Sequence, residues 1–134
     1  MAASVVVLSA SLTLLPGCSD ATDDAADIIK QQAALMEHYV DAMESAKNAD
    51  DVASAIEQYT DDMKVLIPQL KEFEQKYQNA DQEALAAEVE KEMDRVEKAG
   101  QRLPAAMMKA ATYMMDPKVQ QAMTRMSEEL GDMQ

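Results

Sequence analysis

The residues of this chain that could take part in chemistry are one cysteine, one histidine and twelve methionines. Cys18 is the only thiol and His38 is the only imidazole. Without a second histidine or a second thiol, the sequence offers no zinc or haem site of the familiar kinds. The cysteine and the methionines are therefore the two features from which a function can be argued.

Cys18 follows an apolar run, residues 5–15, that carries no charge and is too short to cross a bilayer. A membrane-spanning helix needs roughly 20 apolar residues, whereas a run of this length is typical of a signal peptide. Pro16 and Gly17 would end a helix formed by the run, and Gly17 is the small residue that a signal peptidase requires before the cleaved bond. The pattern predicts a signal peptide over residues 1–17. The alternative is that residues 5–15 form a buried core helix and Cys18 is an ordinary small thiol.

Leu15-Pro16-Gly17-Cys18 resembles the lipobox of bacterial lipoprotein precursors, in which an apolar, a variable and a small residue precede a cysteine. The resemblance implies transfer of diacylglycerol to the Cys18 thiol, cleavage before Cys18 and acylation of the new amino group. Two or more acyl chains hold a protein stably at a membrane. Such signals begin with Lys or Arg, which residues 1–4 lack, and this leaves open a translation start further upstream.

A chain anchored in this way would lie in the bacterial cell envelope and face the periplasm. In some bacteria the residues after the lipidated cysteine direct the protein to one membrane, and here these are Ser19 and Asp20. Ser19 favours the outer membrane over the inner membrane, and Asp20 leaves the choice open. We expect residues 18–21 to be the lipidated cysteine with a short tether and residues 22–134 to be one helical bundle domain.

The net charge of −13 argues against one class of partner. Residues 1–17 contain no charged side chain, so all of this charge belongs to the rest of the chain. Nucleic-acid binding needs basic patches that displace counterions, and we therefore expect no nucleic-acid partner. The partners that we expect are the membrane, through the lipid, and an unidentified protein or lipid.

We also expect no catalytic residues and no cofactor other than the covalent lipid on Cys18. The sequence has no glycine-rich phosphate loop and no Gly-x-Ser-x-Gly turn. His38 falls opposite the apolar stripe of its predicted helix, so it is predicted to face solvent, with Asp41 one turn away as a hydrogen-bond partner. Acidic neighbours such as Asp61 and Asp62 splay apart on a helix and are typical of a solvated face. The sequence therefore indicates that the protein is not an enzyme.

The predicted fold class is all-α, an antiparallel helical bundle of three long helices plus a short C-terminal helix. Glycine and proline are scarce, helix-forming residues are abundant, and no segment alternates apolar and polar residues as a strand would. Short polar turns join the helices, which makes neighbouring helices antiparallel. The predicted helices run from N-cap Thr22 to about Lys47, from the Asn48–Asp51 turn to Tyr77, from N-cap Asp81 to Met115, and from Asp116-Pro117 to about Leu130.

Two prolines fall inside predicted helices. The apolar stripe keeps its phase across Pro68, which predicts a kink rather than an end. It also keeps its phase from Gly100 past Pro104, which favours one kinked helix over two helices separated by a Gly100 cap. The residues predicted to point inward are Ile29, Ala33, Met36, Val40 and Met43 in the first helix; Val52, Ile56, Tyr59, Met63, Leu66, Leu70, Phe73 and Tyr77 in the second; Leu85, Val89, Met93, Val96, Leu103, Met107, Ala110 and Met114 in the third; and Val119, Met123, Met126 and Leu130 in the last.

Seven of the twelve methionines lie in the last 28 residues. The candidate binding residues among them are Met107, Met108, Met114, Met115, Met123 and Met126. Three interpretations remain open. In the first, flexible methionines simply fill a core that is poor in aromatic residues. In the second, Met107, Met114 and Met115, with Met123 or Met126 from the returning helix, converge on a reduced copper ion, since thioethers select Cu(I). In the third, Met108 and Met115 are exposed contacts of an adaptable apolar groove that binds a hydrophobic helix or a lipid.

Together these features predict a non-enzymatic envelope lipoprotein whose helical surface binds a protein or lipid partner. A methionine-rich periplasmic copper-handling protein is the second candidate. A structural spacer without a ligand is the third.

Overall fold

The computed structural model describes residues 18–79 and 81–133, which form helices joined by short turns. No strand occurs in these two ranges, so the predicted all-α class is confirmed for them. The predicted signal peptide, residues 1–17, lies outside the described residues. A 3-10 turn gives the described ranges one helical element more than was predicted. The elements are α1 (Cys18–Ser45), α2 (Ala49–Lys76), α3 (Gln82–Ala110), the 3-10 turn (Ala111–Tyr113) and α4 (Pro117–Gly131).

Side chains cap α2, α3 and α4 at the positions that the sequence predicts. Asn48, Asp81 and Asp116 each accept a hydrogen bond from a backbone N–H two or three residues further on, at 2.9, 3.0 and 2.9 Å respectively. Each bond satisfies a donor that the first helical turn would leave unpaired. Pro117 follows its cap as the first helical residue, where its missing N–H costs nothing.

The start of α1 differs from the prediction. Thr22, which was predicted to be the N-cap, lies inside α1, because this helix already includes Cys18. Residues 18–21, predicted to be a tether, are therefore helical. Ala21 is only 2% exposed and packs with Ala25 and Leu85. Burial against α3 extends the helix past Thr22, since tertiary packing stabilises helices more than local propensity does.

Both internal prolines lie within continuous helices. α2 runs through Pro68, and α3 runs through Gly100 and Pro104. The favoured prediction of one helix across this stretch is therefore confirmed, although α3 ends at Ala110 rather than at Met115. A proline removes one backbone hydrogen bond from the helix interior. Packing on both sides of each proline compensates for that loss.

α1 is the central helix, since it packs against both α2 and α3. Its contacts with α2 pair early residues of one helix with late residues of the other. The Lys76 ammonium lies 3.1 Å from Asp24, and the Gln31 amide donates to Gln69 at 3.3 Å. α1 and α2 are therefore antiparallel, as their short connection requires.

The contact between α1 and α3 is more extensive, and these two helices are parallel. Arg95 pairs with Glu37 at 2.6 Å, and seven residues further along Arg102 pairs with Glu44 at 2.5 Å. The same offset at both pairs fixes the register of the two helices. α4 packs along α2 in the same parallel sense.

The core is largest where all four helices meet, which we call the four-helix end. There the late part of α1, the early part of α2, the late part of α3 and α4 surround it. Its buried residues are Val40, Met43, Ala46, Val52, Ala53, Ala55, Ile56, Ala106, Ala110, Val119 and Ala122. At the opposite end, the three-helix end, only α1, α2 and α3 are present. The buried cluster there consists of Ala21, Ala25 and Leu85.

Two methionines that were predicted to point inward are exposed instead. Met93 is 47% exposed and Met123 is 39% exposed. Neighbouring alanines take the inward positions: Ala99 and Ala122 are each 1% exposed, and Ala106 is fully buried. Small side chains let two helices approach closely, and the longer methionines are then displaced to the rim of the contact.

The buried face of α1 is also rotated relative to the prediction. Ile28 is buried although it was not predicted to be, whereas Ile29 and Met36, which were predicted to point inward, are only half-buried. The reason is that α1 has neighbours on two sides, so its buried face is wider than a single stripe.

Candidate binding site at the four-helix end

The connection between α3 and α4 is fixed to the turn between α1 and α2. The Tyr113 hydroxyl donates to the Lys47 carbonyl oxygen at 2.8 Å. Within the connection, Asp116 N donates to the Tyr113 carbonyl oxygen at 2.9 Å. These bonds determine where α4 starts, and so they determine how methionines from both sides of the connection face one another.

Three of the six candidate methionines line a single hollow at this end. Met107 of α3, Met114 of the connection and Met123 of α4 surround a volume of about 570 Å³, together with Gln120 and Thr124. We call this feature the methionine hollow. Met107 and Met114 are half-buried and Met123 lies at the rim, so the hollow is open to solvent.

Met107 has a defined polar neighbour. The Tyr39 hydroxyl of α1 donates to the Met107 sulfur at 3.9 Å, and the Tyr39 ring lies 4.7 Å from the ring of Tyr59. Burial raises the pKa of Tyr39, so its hydroxyl keeps the donated proton at neutral pH. The Met107 sulfur therefore accepts one weak hydrogen bond from α1.

The other candidate methionines are placed differently. Met108 is 79% exposed and Met115 is 80% exposed, and neither lines the methionine hollow. Met126 is partly buried and packs against the core of the four-helix end. The six candidates thus divide into three that share a hollow, two that project into solvent and one that fills the core.

Ion pairs hold α4 on α2 beside the hollow. Arg125 lies 2.6 Å from Asp61 and 3.0 Å from Glu129, and Lys64 lies 3.0 Å from Glu129 on its other side. Hydrogen bonds from Lys64 and Arg125 lower the pKa of Glu129. Asp61 and Lys64 are exposed, whereas Arg125 and Glu129 are half-buried. Together these ion pairs fix the rotation of α4, which places Met123 at the rim of the methionine hollow.

The predicted partner of His38 is engaged elsewhere. His38 is exposed, as predicted. Asp41, however, accepts a hydrogen bond from Arg102 at 2.6 Å. The predicted contact between Asp41 and His38 is therefore replaced by a charge-assisted hydrogen bond from the Arg102 guanidinium.

An apolar hollow that the sequence did not reveal lies at the three-helix end. It has a volume of about 250 Å³ and is lined only by apolar residues of α1, α2 and α3, among them Phe73, Leu85, Ala86 and Val89. The hollow exists because α2 and α3 make few contacts with each other. It was not predicted because a local sequence pattern does not indicate how far apart two helices pack.

The described residues contain neither a cluster of charged or imidazole metal ligands nor a membrane-spanning helix. No group of three or more His, Cys, Asp or Glu side chains within residues 18–79 and 81–133 is placed to hold a metal ion. None of the helices in those ranges has a stretch that is both long enough and apolar enough to cross a bilayer.

Comparison with known proteins adds no family assignment. No protein-family model matches the chain, and no match is found among curated proteins or solved structures. The function is therefore argued from the residues and the geometry given above.

Proposed function

We propose that this chain is a bacterial envelope lipoprotein, anchored through lipid on Cys18, whose helical bundle binds a partner and catalyses no reaction. In this proposal residues 1–17 are the signal peptide, and three long helices with the shorter α4 form one bundle domain. The support for the anchor is the Leu15-Pro16-Gly17-Cys18 pattern after an uncharged apolar run. The outer membrane is favoured over the inner membrane.

The position of Cys18 relative to the methionines supports binding of a partner away from the membrane. Cys18 begins the described part of α1 at the three-helix end, whereas Tyr39 of the same helix contacts Met107 at the four-helix end. At 1.5 Å per residue, these two positions of α1 lie roughly 30 Å apart. An anchor at Cys18 would therefore leave the methionine-rich end facing the periplasm.

The single observation on which the binding role depends is the exposure of Met108 and Met115. These are the two most exposed large apolar side chains among the described residues, at 79% and 80%. Methionine is flexible and polarisable, so an exposed methionine can adapt its shape to different partners. A structural spacer would have no need of these exposed side chains. The net charge of −13 supports a partner other than nucleic acid.

The experiment that tests this role is crosslinking in intact cells of the native producer, followed by mass spectrometry of the crosslinked partners. We expect the variant Met108→Glu with Met115→Glu to lose a partner that the wild type captures, because two charges replace the apolar contacts. Val65→Glu is the matched control, since it introduces a charge at another exposed apolar side chain, on α2. Equal capture by all three proteins, with unchanged helical content, would support the spacer and contradict the proposed surface.

A further inference from the structure

The methionine hollow is not used by the proposed partner surface. Met108 and Met115 project into solvent, whereas Met107, Met114 and Met123 line one concavity. Met107 and Met114 pack against the core of the four-helix end, as Met126 does. Met123 does not, because it is 39% exposed at the rim of the hollow. Core filling therefore accounts for Met43 and Met126, but it does not account for a third thioether that shares a solvent-open concavity with Met107 and Met114.

The donor atoms around the hollow are chemically selective. Three thioethers come from three different segments, and the other lining residues are Gln120 and Thr124, which are neutral. Thioether sulfur is a soft, neutral ligand that selects Cu(I), whereas Mg²⁺ and Ca²⁺ require several oxygen ligands and usually carboxylates. The net charge of −13 attracts a cation to the protein as a whole.

The geometry leaves room for an ion to bind. The methionine hollow has a volume of about 570 Å³, which leaves space for an ion. Methionine has three rotatable bonds, through which its sulfur can move toward that ion. The backbone positions are fixed by the Tyr113 bond to Lys47 and by the cap at Asp116. The Tyr39 hydroxyl bond to the Met107 sulfur is a weak one at 3.9 Å, so this sulfur remains free to ligate.

We propose that the methionine hollow binds one Cu(I) ion through the sulfur atoms of Met107, Met114 and Met123. The step is ligand binding alone, and no electron is transferred. The site extends the proposed function beyond partner binding. It does not depend on the lipid anchor, because all three ligands lie at the four-helix end.

The test uses the full 134-residue chain with Cys18→Ser in mild detergent. This substitution removes the only thiol, which would otherwise bind a soft metal itself. The probes are Cu(I), kept reduced under anaerobic conditions, and Ag(I), a soft monovalent ion that is stable in air. Titration is expected to give one ion per chain with a dissociation constant of about 10 μM or tighter.

Two variants locate the site. The triple variant Met107→Leu, Met114→Leu and Met123→Leu is expected to weaken binding at least about 30-fold, because leucine keeps the volume and removes the sulfur. The double variant Met108→Leu with Met115→Leu removes two exposed sulfurs and is expected to bind within about two-fold of the parent. Equal weakening by both variants would overturn the proposal, and so would the absence of saturable binding below about 100 μM.

A second measurement keeps the test decisive if the triple variant folds poorly. In the Cys18→Ser chain labelled with ¹³C at the methionine methyl groups, Ag(I) is expected to shift the signals of Met107, Met114 and Met123 and to leave those of Met108 and Met115 in place. The shift should be the same at about pH 5.5 and 7.5, because a thioether carries no proton that competes with the metal. Loss of binding at the lower pH would assign the ion to His38 and contradict the methionine site.

Discussion

The two ends of this helical bundle differ in how completely their cores are enclosed. At the four-helix end, Val40, Met43, Val52 and Val119 are fully buried. At the three-helix end the most buried large side chain of the cluster, Leu85, remains 8% exposed and itself lines an apolar hollow of about 250 Å³, whereas no buried residue lines the larger methionine hollow of the four-helix end. α4 accounts for the difference, because it packs on the early part of α2 and does not cover the late part. A short fourth helix thus divides one bundle into a rigid end, which positions the methionines, and a looser end, which contains Cys18.

The largest effect that separates the two ends is expected from removing matched methyl groups. Val52→Ala at the four-helix end should lower the free energy of unfolding by about 2 kcal/mol, because it leaves a cavity in a closed core. Val89→Ala at the three-helix end should cost less than about 1 kcal/mol, because Val89 is half-buried beside an existing hollow. Urea unfolding of both variants measures the two values. Equal losses would show that the two ends are equally well packed.

A smaller effect of opposite sign is expected from filling the apolar hollow. Ala86 is exposed and lines this hollow, so Ala86→Leu should stabilise the protein by about 0.5–1 kcal/mol. Ala87 is also exposed but does not line the hollow, and Ala87→Leu should change stability by less than about 0.5 kcal/mol. The melting temperatures of the two variants provide the comparison. A gain from Ala87→Leu alone would indicate that the hollow is not the source of the looser packing.

The smallest effect concerns pH at the three-helix end. Asp24 accepts hydrogen bonds from the Tyr77 hydroxyl at 2.6 Å and from Lys76 at 3.1 Å, and these bonds lower the pKa of Asp24 from its ordinary value of 3.8. A carboxylate with a lowered pKa stabilises the fold above its ordinary pKa, and that contribution is lost as pH falls through the lowered value. Asp24→Asn should therefore lower the melting temperature at pH 7, and the difference from wild type should shrink as the pH falls past 3.8 and vanish only once the pH lies below the lowered pKa of Asp24.

The control for that prediction is Asp23→Asn, which removes the same charge from the exposed neighbouring position. It should change the melting temperature little at either pH. If Asp23→Asn reproduces the pH dependence of Asp24→Asn, the effect comes from net charge and not from the bonds to Tyr77 and Lys76.

The features that sequence reasoning predicted correctly are local ones. The caps Asn48, Asp81 and Asp116 depend on side chains within three residues of the donors that they satisfy. The continuity of α3 through Pro104 followed from the phase of its apolar stripe. These are properties of one segment, so one segment is enough to predict them.

The features that it missed depend on which helices become neighbours. Met123 is exposed because the preceding residue, Ala122, makes the close contact, and the apolar period alone does not distinguish a methionine from an alanine one position away. Met93 is flanked by Glu92 and Asp94, and the buried positions of α3 nearest to it are Leu85 and Ala99.

Arg102 pairs with Asp41, which lies 61 residues earlier in the chain. No local sequence pattern predicts a contact over that separation. For the candidate site, the sequence supplied the six methionines, whereas the α3–α4 connection decided which three share a hollow.

The proposed orientation of both ends depends on the claim that Cys18 carries a lipid anchor. The most direct test of that claim is the intact mass of the protein, extracted from membranes by detergent. The account predicts a chain that lacks residues 1–17, begins at Cys18 and is heavier than residues 18–134 by covalently attached acyl lipid. An unmodified chain that retains residues 1–17 would contradict it.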